Sequence, residues 1–311
     1  MAVGEDRAVG APPGAGSARG RATGSGWYLA AVAAMVVVAA GAGIAGTGTY
    51  GGMPPLLRET WRAQDMVNLL VVAVAVMAWQ RARTGSLPSH LVLLGTWFWF
   101  AYCYAHLAFA APFGPVFLLD VAVLALSTYA LVDGLVRTDP GAVDRLLARA
   151  PRRAAGWFLA VAGAGIAVLW LSDIALGFAG RAPANLHLEV LPNPTWVLDL
   201  GWVIPMAVGS GIGLIRGRCW APLLAVPTLV ALTVLSVAML TLTPVALAVG
   251  LDEDPAIAPQ LVAFTAVFAA LGAVEAWLLV TAARRFSAVP PGWLRASWWP
   301  QWAAAGVERA S

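Results

Sequence analysis

Apolar residues fall in eight long runs along this chain, near Trp27–Ala45, Gln64–Gln80, Leu91–Ala111, Val116–Val136, Gly156–Phe178, Thr195–Ile215, Trp220–Leu247 and Ile257–Ala283. Each is long enough, as a helix of roughly 20 residues, to cross about 30 Å of hydrocarbon. The pattern predicts an all-α fold, a polytopic transmembrane helix bundle of eight spans. Pro222, Pro227 and Pro244 lie in the seventh run, which predicts a kink or an early end there. Residues 1–26 are rich in Gly, Ala, Pro, Ser and Arg without apolar periodicity and read as a disordered tail. Residues 27–285 form the transmembrane domain. Residues 286–311 carry Trp293, Trp298, Trp299 and Trp302 with Arg295, just after Arg284 and Arg285. They read as a segment lying at the membrane interface.

The polar residues between the runs add a direction. All 19 basic residues are Arg. Sixteen of them sort to one side of an eight-span topology, in the N-terminal tail, the loops after spans two, four and six, and the C-terminal tail. Arg58, Arg62 and Arg181 stay on the other side. Arginine excess marks the cytoplasmic face, so both termini are expected in the cytoplasm of a cell, in its plasma membrane. An odd number of spans breaks this sorting. In a rival reading the first run, with its basic flank and small residues near Ala42–Gly46, is a cleaved signal peptide.

Composition agrees with the span pattern. The chain is 60% hydrophobic and 11% charged, with a mean hydropathy of +0.77, against about 25% charged residues in soluble domains. The bilayer is therefore its expected solvent. The basic clusters fit anionic lipid headgroups at the cytoplasmic leaflet rather than nucleic acid. Exclusive use of Arg, with abundant Ala, Gly and Val, is the composition of a GC-rich genome, a bias of composition and not of chemistry. Cys103 within a span and Cys219 at a helix end are not expected to form a disulfide.

An internal repeat is visible in outline. Gly26-Trp27-Tyr28-Leu29 opens the first span and Gly156-Trp157-Phe158-Leu159 the fifth. Trp61, Asp65 and Arg81-Ala82-Arg83 in the second match Trp196, Asp199 and Arg216-Gly217-Arg218 in the sixth. Four spans per unit gives a parallel 4+4 arrangement about an axis along the membrane normal. The competing explanation is that apolar spans with interfacial Trp and terminal Arg resemble one another by default.

Candidate chemistry gathers in the outer half of the membrane. Ionisable groups inside spans normally face the bundle interior or a water-filled cavity. Arg62, Asp65 and Asn68 are spaced by three, on roughly one helical face. His106 follows the aromatic run Trp97-Phe98-Trp99-Phe100, and Asp120 and Asp199 lie near the outer ends of the fourth and sixth spans. Together they read as an outward-facing polar binding site for a small molecule. Arg62 would be its cation, the acids its proton- or cation-responsive groups, and His106 a group that titrates near neutrality. Structural roles compete with this: Arg62 paired with Asp65 or Asp120, Asp65 and Asp199 as helix caps, and His106 as a satisfied interior histidine. Glu275, deep in the eighth span, is a candidate for a proton path or a carboxyl hydrogen-bonded to a neighbouring helix.

Several motifs are missing. The chain has no Walker loop, HExxH, GxSxG or acidic magnesium cluster. No cofactor and no metal ligand set is expected, and no catalytic residue is assigned.

Some segments carry a resemblance. Arg62-Ala63-Gln64-Asp65 opens the second span, Arg83-Thr84-Gly85-Ser86-Leu87 follows it, and Leu198-Asp199-Leu200-Gly201 with Pro205 precedes Cys219-Trp220. These are similar to a group of bacterial multi-span proteins that share an RGxD start to the second helix, an RGSL turn, an LDLG…P sixth helix and an RRPWG turn. This chain departs by Ala63 for Gly, by Thr84 interrupting the second motif, and in the last turn. The group is uncharacterised, and the resemblance implies a membrane bundle in a bacterial inner membrane and no activity.

Three functions remain in view: a small-solute carrier with the outward-facing site, a structural or accessory subunit without catalysis, and an intramembrane enzyme acting on a lipid-linked substrate.

Overall fold

The structure is a computed structural model, and it describes residues 26–46, 48–181, 193–253, 255, 258–288 and 292–294. The expectations for residues 1–25 and for most of the C-terminal tail lie outside these residues. Every regular element described is helical, apart from one isolated bridge between Thr138 and Leu294. In chain order the helices are α1 (Gly26–Ile44), α2 (Pro55–Ala82), α3 (Leu87–Ala110), α4 (Phe117–Arg137), the short α5 (Pro140–Leu146), α6 (Arg152–Phe178), α7 (Pro194–Leu198), α8 (Ile204–Ile215), α9 (Ala221–Ala248) and α10 (Ala258–Ala283). A π turn, Asp199–Val203, joins α7 to α8. Eight of the resulting segments are long and apolar enough to cross a membrane, with α7, the π turn and α8 counted as one.

Local chemistry sets the helix ends. Pro55 occupies the first turn of α2, where its missing N–H costs nothing. The helix thus begins nine residues before the expected Gln64. Its first turns hold Leu56, Leu57 and Trp61 buried beside Arg58, Glu59 and Arg62, and those charges conceal the helix from a hydropathy reading. Ser86 caps α3, Asp139 caps α5 and Asn193 caps α7, each side chain accepting a backbone N–H two or three residues on. The π turn precedes Pro205, whose ring would clash with the carbonyl of residue 201 in a regular helix. One wider turn relieves that clash. The seventh run does not end early: α9 is continuous through Pro227 and Pro244, with Pro222 in its first turn.

Packing centres on α3. Trp97, Phe98, Trp99 and Phe100 are fully buried in it. Helices α1 to α4 close into a ring in which α1 packs on α2 and α4, and α3 packs on the same two. Helices α6, α8, α9 and α10 form an open row, each packed on the next, while α6 and α10 make no comparable contact among the described residues. Helix α9 joins the groups by packing on α2 and α3. A 4+4 repeat is not confirmed by this arrangement of one closed and one open group. Small residues allow the close approaches: a Cβ at Gly95 would collide with Val230 of α9, and one at Gly211 would stand 2.7 Å from the Gly156 carbonyl of α6. Lipid supplies no hydrophobic drive between helices, so such van der Waals contact carries much of their association.

At the arginine-rich end, Ser287 and Trp293 lie against the helix ends. Ser287 N donates to the Leu146 carbonyl at 2.9 Å and Asp139 N to the Trp293 carbonyl at 3.0 Å. Trp293 Nε1 donates to the Gly85 carbonyl at 3.0 Å. Its ring lies 4.9 Å from that of His90. Trp293, grouped above with the interfacial tryptophans, is thus buried in protein.

Candidate functional site: two hydrogen-bonded polar sets

Arg62 is engaged from its own helix. Glu59, one turn earlier, is almost wholly buried and accepts from Arg62 Nη1 at 3.0 Å and from Arg58 Nε at 2.9 Å. The pairing expected between Arg62 and Asp65 or Asp120 does not occur. Glu59 follows from Arg62 at the i, i+3 spacing that brings helical side chains together, a signal obscured by placing this segment in a loop. Arg62 Nε is buried and has no hydrogen-bond acceptor.

Asp65 lies two turns into the ring of α1 to α4 and caps no helix. It accepts a 2.7 Å hydrogen bond from the Tyr50 hydroxyl. Tyr50 sits in the loop between α1 and α2. Burial, and secondarily the Asp65 carboxylate, push its hydroxyl well above the ordinary tyrosine range. Asn68, one turn on from Asp65, accepts from Trp99 Nε1 at 2.7 Å and donates to Cys103 Sγ at 3.5 Å. Cys103 in turn faces Gln64 Oε1 at 3.5 Å and is a free thiol.

Asp120 enters the same interior from the first turn of α4 and is buried. Among the described residues no hydrogen bond or salt bridge reaches its carboxylate. It is near enough to Asp65 and Tyr104 to interact with both electrostatically. The Tyr104 hydroxyl is also buried, with no hydrogen-bond partner. Two carboxyl groups and a phenol therefore share one interior, and no cationic side chain is paired with either acid.

Asp199 and His106 belong to a second set, hydrogen-bonded to α3, α6 and α7. Asp199, at the π turn, accepts from the Tyr102 hydroxyl and from Trp170 Nε1, each at 2.8 Å. The Tyr102 carbonyl can only accept, so His106 Nδ1 at 3.2 Å carries the proton and donates to it. In the neutral ring Nε2 then accepts from the Thr195 hydroxyl at 3.1 Å. Tyr102 and His106 pack edge to face with centroids 4.6 Å apart. The six residues expected in one pocket thus fall into two sets by their partners. Arg62, Asp65 and Asn68, with Asp120 near Asp65, draw theirs from α2, α3 and the loop before α2, and His106 and Asp199 from α3, α6 and α7. Glu275 stands apart from both. It is buried between α9 and α10 and accepts from the Ser236 hydroxyl at 2.9 Å.

Sequence reading missed Tyr50, Tyr104 and Trp170. No spacing connects Tyr50 to Asp65, 15 residues on, or Trp170 to Asp199, 29 residues on. Among the described residues no three His, Cys, Asp or Glu side chains converge as a metal site. No known family model, curated protein or solved structure matches this chain.

Proposed function

We propose that this integral membrane protein is a small-solute carrier whose ion-responsive site is the Asp65–Asp120 pair. One observation carries the reading: two buried carboxyl groups face a common interior with no cationic side chain paired to either. Charge in such a place has to be compensated, and a proton or small cation that enters and leaves is a compensation a carrier can use. The unpartnered Tyr104 hydroxyl supplies a further polar group. The arginine asymmetry supports a bacterial plasma membrane with both termini cytoplasmic, which puts this pair toward the outer face.

A second reading, an accessory subunit, is favoured by the internal pairing of Arg62, Asn68, His106 and Asp199 with Glu59, Trp99, Thr195 and Tyr102. These groups then serve to hold helices together. The enzyme reading has no such support, because His106 meets a carbonyl and a hydroxyl and no carboxylate.

Proteoliposomes on a solid-supported membrane separate the two. The carrier reading expects a transient current on a pH or Na⁺ jump in the presence of a transported solute from a panel of amino acids, amines and sugars. That current should vanish in D65N and D120N. Silence across the panel and both ions leaves the accessory reading, and currents unchanged in both variants reject the site.

A further inference from the structure

At the arginine-rich end, away from both polar neighbourhoods, lies a cavity of about 450 Å³. That is within the size range of ligand pockets, about 300–1,000 Å³. Its walls come from α2, α3, α6, α8, α9 and α10, including Val74, Ala155, Leu214, Leu229, Val230 and Leu278. They are almost entirely apolar. Two features tell what fits it. The first is where it opens. Ala155 of α6 and Leu278 of α10 both line it, and these two helices make no comparable contact among the described residues. The cavity therefore lies at the gap in the open row of helices, between two helices that carry exposed apolar residues such as Val161 and Val280. The second is the charge at its rim. Arg81 and Arg152 both line it. Arg152 is already held by the Asp144 carboxylate at 2.7 Å and the Leu147 carbonyl at 2.8 Å. Arg81 is exposed and has no carboxylate partner among the described residues. Ser89, also in the wall, accepts from the Ser86 hydroxyl at 2.9 Å and keeps its own hydroxyl proton to donate.

We infer that this cavity is a binding site for an anionic phospholipid. One acyl chain enters from the bilayer between α6 and α10, and the phosphate-bearing headgroup rests at Arg81 and Ser89. A water-soluble polar ligand would find almost nothing to hydrogen-bond inside. A lipid without a phosphate would leave the Arg81 guanidinium at the rim without a counter-ion, and a zwitterionic one would bring its own ammonium beside that guanidinium. An anionic amphiphile answers the apolar wall, the lateral opening and the unpaired cation together. This site is independent of the Asp65–Asp120 pair.

The test uses the full chain in nanodiscs with phosphatidylglycerol or phosphatidylcholine bearing a diazirine on the acyl chain, followed by peptide mapping and by native mass spectrometry of retained lipid. The expected result is cross-linking concentrated on residues 225–230 and 278–286, with phosphatidylglycerol retained over phosphatidylcholine. R81Q should cut that preference roughly fivefold, the contribution of about one arginine near an anionic headgroup. Arg81 is exposed, so this variant tests the headgroup contact without disturbing the core. A225F, which narrows the cavity, should remove the cross-links. Equal retention of the two lipids, or labelling spread evenly over exposed apolar positions such as Val161 and Val168, would each overturn the inference.

Discussion

The Gly43 backbone of α1 lies against the Asp65 carboxylate of α2, so that a Cβ at Gly43 would collide with Asp65 Oδ2 and stand 2.9 Å from the Tyr50 ring. The carboxylate cannot swing away without leaving the Tyr50 hydroxyl that holds it. G43A is therefore expected to destabilise by about 1–3 kcal/mol, the usual cost of overpacking. G41A, at a position with open space, should be neutral or mildly stabilising. Thermal unfolding in detergent compares the two. In a D65A background the G43A penalty should shrink, and a cycle showing full additivity would refute the contact.

Removing the Tyr50 hydroxyl leaves a buried acceptor without its donor. Y50F should cost about 1–3 kcal/mol and change the alkaline limb of the stability profile. The folded state holds the Tyr50 proton more tightly than the unfolded state does. Between the ordinary value near 10 and the higher folded value, the native form binds more protons, so stability is complete below about pH 10 and falls as pH rises above it. Melting temperatures from pH 8.5 to 11 should fall more steeply for the wild type than for Y50F. Parallel curves would contradict the assignment.

Asp120 and Asp199 are both buried acids, and their substitutions should behave oppositely. Asp199 accepts from two donors, the Tyr102 hydroxyl and Trp170 Nε1, so D199A removes both bonds and should destabilise by about 1–3 kcal/mol or more. Asp120 satisfies none among the described residues. D120N should be neutral or stabilising in a denaturation experiment while abolishing any ion-dependent current. If D120N destabilised as much as D199A, Asp120 would belong to the scaffold.

Trp293 ties the segment after α10 to the loops beginning α3 and α5. W293A removes a buried indole and its bond to the Gly85 carbonyl, with an expected cost of about 3–5 kcal/mol. W293F should recover much of the packing and none of the hydrogen bond. Retention of wild-type stability in W293A would mean the segment contributes nothing to the fold.

The polar interior was legible to different degrees at different positions. That Asp65, Asn68, Asp120, Asp199 and Glu275 face protein was foreseeable, because an ionisable or amide group in hydrocarbon has to find a partner, and all five are buried. Which partner each finds was not. Arg62 looked available to Asp65 three residues on, yet Glu59 three residues back takes it, since α2 begins at Pro55. The single pocket drawn from membrane depth alone became two hydrogen-bonded sets, because depth does not say which neighbouring helix supplies a residue's partner.

Sequence by itself determined the eight apolar helices, the sorting of arginines to alternate helix ends and the burial of the polar residues within spans. Those follow from hydrocarbon thickness and from the cost of exposing polar groups to lipid, which act on each segment separately. Only the tertiary structure decided that α1 to α4 close into a ring while α6 to α10 stay open, that the candidate residues fall into two hydrogen-bonded sets, and that a cavity remains beside Arg81. Those depend on which helices touch. In a bilayer that choice rests on close steric fit at small residues such as Gly43, Gly95 and Gly211, and it leaves no mark on the hydropathy pattern.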